Sequence, residues 1–153
     1  MGRIYTSEFD GVNITAAQDI FSILTPATDI VIVHEVGFSQ LTEIQDAEEV
    51  MLLLRMRSGQ TTVGSGGTTP AMVPLLLGDS ACGCTVRAND TTIASSGTIV
   101  QKHSEYWNLR IPYVKIWTPE TRPILPPATR WTFELVTVDT FTAGGYIVFE
   151  EIG

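Results

Sequence analysis

Apolar residues recur at every second position in this chain, in short runs from one end to the other. Such alternation puts one side of a strand against a core and the other toward solvent. Gly, Pro, Asn and Asp interrupt the pattern roughly every 8–14 residues, the spacing of strands and turns. Arg3–Phe9 carries Ile4 and Tyr5 among polar neighbours, Asp10-Gly11 signals a turn, and Val12–Thr15 resumes the sheet. Asp19–Leu24 stops before Pro26. Asp29–Phe38 is apolar on both faces, which predicts a central strand covered on both sides. Thr42 and Gln45 occupy capping-box places for a single helical turn, too short to stand alone.

The most informative stretch is Val50–Asp79. Val50, Leu52, Leu54 and Met56 share one face of a strand that turns basic at Arg55 and Arg57. A long Gly/Thr/Ser loop follows, and Ala71–Leu77 is expected to return the chain to the core, broken at Pro74. Ala81–Ala88 reads as a strand followed by a turn at Asn89-Asp90. Thr98–Trp107 and Leu109–Trp117 read as a hairpin about Asn108, its second strand an edge or bulged strand because of Pro112. The prolines between Pro119 and Pro127 predict a loop. Arg130–Asp139 and Tyr146–Ile152 are the last strands, joined by a turn at Thr142–Gly145. About eight to ten short strands and no helix of consequence indicate a sandwich or barrel; the expected form is an antiparallel β-sandwich of jelly-roll type.

At 153 residues the chain fits one domain, 1–153, with core enough to need no staples. Its net charge of −8 and scattered basic residues disfavour nucleic acid and anionic membranes as partners. No apolar run follows Arg3, so no signal peptide is expected, and no run is long enough for a transmembrane helix.

Residues able to do chemistry are few. Cys82 and Cys84 sit two apart on one strand face, poorly placed for a disulfide, and read as reduced, inward-facing core thiols; a metal site would need further ligands. His34 reads as a hydrogen-bonded core histidine. His103 and Glu105 share a strand face, but a cupin-like metal centre needs more ligands than this spacing supplies. Ser65 in V-G-S-G-G has Val63 where a nucleophile elbow needs glycine, and Gly64–Gly67 lacks the Lys-Ser/Thr ending of a phosphate cradle. Glu150 and Glu151 are strand neighbours pointing to opposite faces, so they read as solvated or interface charges, not an acid/base pair. Tyr106, Trp107, Tyr113, Trp117 and Trp131 fit a core, a subunit contact or a sugar-stacking platform. No catalytic residue, metal site or cofactor is expected.

The loop Ser58, Gly59, Gln60, Thr61, Thr62, Val63, Gly64, Ser65, Gly66, Gly67, Thr68, Thr69 and Pro70, with Trp107 and Trp117, is the expected interface. Ordering such a loop costs entropy, so it should be mobile when free and ordered in an assembly.

Three stretches carry a family resemblance: RIYTSEFDGVNITAAQDIFSI, the Gly/Thr loop followed by PAMVPLLLGD, and FELVTVDTFTAGGYIVFEEIG. On these the chain resembles small all-β proteins encoded among the structural genes of tailed bacteriophages. The resemblance implies a virion protein without enzymatic activity, made in the host cytoplasm and placed on the outer capsid. The expected function is capsid decoration, or cement, by a homotrimer bound to the major capsid protein. A receptor- or carbohydrate-binding module of a tail or spike is the rival expectation. A cupin- or hydrolase-type enzyme is the third.

Overall fold

The computed structural model describes residues 2–42, 50–136 and 139–153. Eleven strands form two antiparallel sheets. In chain order they are β1 (Arg3–Ile14), β2 (Gln18–Leu24), β3 (Ile30–Gln40), β4 (Met51–Ser58), β5 (Met72–Pro74), β6 (Thr85–Asp90), β7 (Val100–Asn108), β8 (Tyr113–Ile116), β9 (Ile124–Leu125), β10 (Arg130–Leu135) and β11 (Phe141–Ile152).

The first sheet runs β5-β1-β11-β3-β8, with β9 also on β3; the second runs β6-β2-β10-β4-β7. Successive strands β1 to β2, β3 to β4, β7 to β8 and β10 to β11 cross from one sheet to the other. The inner quartets β1-β11-β3-β8 and β2-β10-β4-β7 therefore have jelly-roll connectivity, with β5 and β6 added at one side. The core between the sheets is aromatic: Phe38 packs on Trp107, Phe133 and Phe141 at ring distances of 5.0–6.3 Å.

Several local expectations change. Asp10-Gly11 is not a turn but a register shift inside the continuous β1, and Asn89-Asp90 is not a turn but the end of β6, where Asp90 pairs with Asp19. Gly144 and Gly145 do not turn the chain either; they lie within β11, where a Cβ on Gly145 would come 2.9 Å from the Phe9 ring and 3.0 Å from the Gly37 carbonyl. The supposed hairpin about Asn108 is overturned, since β7 pairs with β4 and β8 with β3 on the opposite sheet. After the Asn108–Ile111 turn the chain crosses the sandwich, and β8 is indeed an edge strand.

Strand β3 is central, between β11 and β8, but buried on one face only. Its pairing passes from Glu35 opposite Val148 to Val33 opposite Phe149, leaving His34 as the extra residue of a bulge. The bulge resets the alternation, so Val31 and Val33 before it and Val36 and Phe38 after it all reach the core. The helical turn expected after Thr42 lies outside the described residues.

Candidate functional site

The two outer faces of the sandwich have opposite character. On the second sheet, Trp131, Phe133 and Leu135 of β10 point into the core. Their neighbours Arg130, Thr132 and Glu134 point outward by alternation, yet they too are buried. The Ser58–Pro70 loop helps to cover them. Gly59 N–H donates to the Arg130 carbonyl, and buried Gln60 donates from Nε2 to Thr132 Oγ1 at 2.9 Å. The loop then pairs antiparallel with β6 and the segment that follows it: Thr68 with Ala88 of β6, Ser65 with Thr92, and Thr62 with Ser95. Asp90, fully buried, accepts the Gly67 N–H at 3.0 Å and two hydrogen bonds from the Arg87 guanidinium at 2.8 and 2.6 Å.

Beneath this strap lies a polar layer. Glu134 accepts Arg55 at 3.0 and 2.7 Å and pairs with Arg57 at 2.8 Å. Arg130 donates to Ser22 Oγ at 2.9 Å. Asp19 Oδ2 accepts the Ala94 N–H at 2.7 Å, anchoring the strap's partner segment. Burial pushes the Asp19 carboxyl up to about 7, against the opposing pull of that amide.

The expected contact loop is therefore fastened to its own sheet by hydrogen bonds within the chain, which corrects the picture of a loop that only a partner orders. Thr61, Thr62, Val63, Ser65, Gly66, Thr68 and Thr69 keep exposed outer sides, whereas Gln60 and Gly64 are buried. Trp107 and Trp117, expected at an interface, are 4% and 8% exposed and belong to the core of this chain. Of the five clustered aromatics only Tyr106 is exposed, so the paired rings a sugar platform requires are not on the surface.

The outer face of the first sheet is apolar. Register places Ile4, Glu150, Ile32 and Ile124 in one row across β1, β11, β3 and β9, and Leu75, just past β5, donates its N–H to the Ile4 carbonyl at the row's end. A second row holds Val73, Thr6, Val148, Glu35 and Ile116. Ile30, Ile152 and Val114 extend the surface, and Leu75, Leu76 and Leu77 project beside β5 at 59%, 67% and 93% exposure. The Ala71–Leu77 segment thus does not return to the core as its composition predicts. Only three of its residues pair, with the edge of β1, and the leucines run past that edge.

Each row contains one carboxylate, and each carboxylate has a partner. Glu150 Oε2 lies 3.0 Å from Nε2 of His34, which the bulge turns onto this face rather than into the core. Glu35 accepts the Tyr146 phenol, and that bond, followed by burial, pushes the phenol up to about 12. Covering these two rows would strand neither charge; Glu8, in the next row with Val114, is exposed.

A cleft of about 770 Å³ opens where β7 and the β8–β9 region diverge. Lys102, Lys115 and Arg122 line it, above Trp117 and Trp131. At its margin His103 and Lys115 lie 3.2 and 3.5 Å from Glu105. Burial raises the Glu105 carboxyl, but Tyr113, His103 and Lys115 together hold it below its usual range. The His103–Glu105 pair forms as strand spacing predicts, with a lysine as its third member.

Cys82 and Cys84 are free thiols, half-buried and buried. Glu151, expected to be solvated or at an interface, is instead 3% exposed and turned inward against them. Its Oε2 accepts the amides of Gly83 and Cys84 at 2.9 and 3.1 Å, with the two Sγ atoms at 3.3 and 3.2 Å. The Cys84 thiol is pushed up by its bond to Cys82, then by burial and by Glu151. Sequence put Glu150 and Glu151 on opposite faces; it could not show which faces inward, nor that the Cys-Gly-Cys segment meets the strand's end.

No protein-family model matches the chain, and no curated protein matches it. Among solved structures, T=1 particles derived from infectious bursal virus align with 99% of this chain and 40% of theirs, at 18% identity and a TM-score of 0.19. The VP16–VP17 complex of the two major capsid proteins of bacteriophage P23-77 aligns over 95% of this chain and 89% of its own, at 9% identity and a TM-score of 0.17. The VP2 subviral particle of infectious bursal disease virus gives 18% identity, 99% and 41% coverage, and a TM-score of 0.17. The chain thus spans about two fifths of the bursal disease virus chains it aligns with. Likeness at these scores carries no argument about fold or function.

Proposed function

We propose that this chain is a non-enzymatic structural protein of a virion, a head decoration or cement protein that acts as a homotrimer on the outer capsid. The virion assignment rests on the resemblance of the three stretches quoted above to small phage structural proteins. One observation supports a contact role: the uncovered, largely apolar face of the first sheet, where Glu35 and Glu150 are already hydrogen-bonded and Glu8 stands exposed in the neighbouring row.

The outward face of a β-sandwich is ordinarily polar, and a contiguous exposed apolar patch marks an interaction surface. Ile4, Ile30, Val73, Leu75, Val114, Ile116, Ile124 and Ile152 all stand exposed on this face. Covering a half-exposed aliphatic side chain contributes roughly 1 kcal/mol. The eight together therefore contribute on the order of 8 kcal/mol, against an association cost of about 4–15 kcal/mol. One such face is marginal for a lone pairwise complex. Repeated across a trimer and a lattice of coat subunits, the same contact becomes firm through effective concentration. The exposed edge of the strap, Thr61 to Thr69, is a second contact element on the opposite side.

The test is co-sedimentation of the purified protein with empty heads assembled from the coat protein of the same genome. Binding that Ile4→Asp and Ile116→Asp abolish supports the reading. A wild-type protein that stays in the supernatant as a monomer refutes it.

A further inference from the structure

We propose that Cys82, Cys84 and Glu151 form a binding site for one zinc-class divalent metal ion, with water as the fourth ligand. The two Sγ atoms and a Glu151 oxygen lie within 4.8 Å of one another. With Zn–S of about 2.3 Å and Zn–O of about 2.0–2.2 Å, tetrahedral angles separate sulfur from oxygen by about 3.5 Å. The observed separations of 3.3 and 3.2 Å need only a small widening to admit the ion.

The donor set is that of a soft to borderline cation: two sulfurs and one carboxylate oxygen. Three protein ligands leave one position open, and half-buried Cys82 lies on the accessible side. The charges also point to a cation. Glu151 is buried, and among the described residues no Lys, Arg or His lies within ion-pair distance of it. Its hydrogen bonds come from neutral donors alone; Arg3, opposite it in the β1–β11 register, bonds to Ser80 instead, and a buried carboxylate without a direct ion pair is costly.

The segment is shaped around that oxygen. A Cβ on Gly83 would fall 3.3 Å from Glu151 Oε2 and 3.1 Å from Pro26 Cγ, so a larger residue here would press on the ligand. Loading balances as one M²⁺ taken up and two thiol protons released, with Glu151 bound as its carboxylate. Two thiolates and one carboxylate against the ion leave a net −1, with the Arg3 guanidinium nearby: Arg3 donates to Ser80, whose carbonyl accepts the Tyr5 phenol at 2.9 Å.

The site would join the start of β6 in one sheet to the end of β11 in the other. It closes the segment that carries Leu75–Leu77, so metal binding would tether the apolar edge of the molecule. The site stands on its own ligands and does not depend on the virion reading.

The test uses the full-length protein, reduced and stripped with a chelator, then titrated with Co²⁺ and back-titrated with Zn²⁺. The expected result is one Co²⁺ per chain, a sulfur-to-cobalt charge-transfer band in the near ultraviolet, and its loss on Zn²⁺ addition. Cys82→Ser should roughly halve the band, because one of two thiolates is removed. Glu151→Gln should keep the band but weaken Co²⁺ binding roughly tenfold or more. Should Cys84→Ser fail to fold, half-buried Cys82 still gives the deciding variant. Absence of the band in the reduced wild-type protein, or a band unchanged by Cys82→Ser, overturns the assignment.

Discussion

The two outer faces of this sandwich are finished in opposite ways. The face of the second sheet is polar and buried, because the chain folds its Gly/Thr/Ser strap over it and satisfies Glu134, Thr132, Asp90 and Asp19 from within. The face of the first sheet is apolar and open, with isoleucines in register across its strands. The usual expectation would reverse the two. A buried polar layer needs fixed partners, and a strap in the same chain supplies them to Thr132, Asp90 and the Arg130 carbonyl. An apolar face tolerates intermittent cover, so it is the one that can wait for another molecule. The contrast places self-sufficiency on one side of the molecule and an open apolar face on the other.

Removing the central carboxylate of the polar layer should break the contrast most severely. Glu134→Ala leaves Arg55 and Arg57 facing a buried void, and a loss of about 3–5 kcal/mol in urea unfolding is expected. Acidity acts on the same layer through Asp19. Its folded-state carboxyl is raised from 3.8 to about 7, so the folded chain holds this proton more tightly than the unfolded one. The stabilisation is complete below pH 3.8 and is lost as pH rises through 7. The loss has an upper bound of roughly 4 kcal/mol. Glu134, Asp90 and Arg57 share the field at this group. Asp19→Asn should flatten the decline and exceed the wild type in stability above neutral pH; equal slopes for the two proteins would remove Asp19 as its source.

Gln60→Ala should cost about 1 kcal/mol by leaving Thr132 Oγ1 without its partner. Amide exchange at Thr62, Ser65 and Thr68 should quicken with it, whereas a strap held mainly by an external partner would exchange quickly already in the wild type. On the apolar face the expected effect on folding is smallest. Ile116→Asp, at a position 68% exposed, should shift the isolated chain's stability by about 0.5 kcal/mol or less. A larger loss would mean that this face supports the fold rather than a contact.

Much of the architecture is legible from the residues. Period-2 runs such as Gln18–Leu24 and Arg130–Leu135 carry the sandwich, and Pro112 correctly marks β8 as an edge. Features depending on which strands meet are not. Apolar runs cannot say whether Leu75–Leu77 will find a core, because that turns on β5 pairing only at an edge. Glycine-rich composition says that Gly59–Gly67 can bend; it does not reveal the bridges to Thr92 and Ser95 that tie it down. The His34 bulge is invisible too, since it arises from the register between β3 and β11. Glu151 joins Cys82 and Cys84 only because the first and second sheets close on one another at that end.

The central claim is that the apolar face of the first sheet is buried by assembly. The most direct measurement is the native mass of the purified wild-type protein beside that of an Ile4→Asp/Ile116→Asp double variant. A trimeric wild type and a folded monomeric variant are predicted. A wild type that is monomeric across its soluble concentration range, or a variant that remains trimeric, would contradict the account.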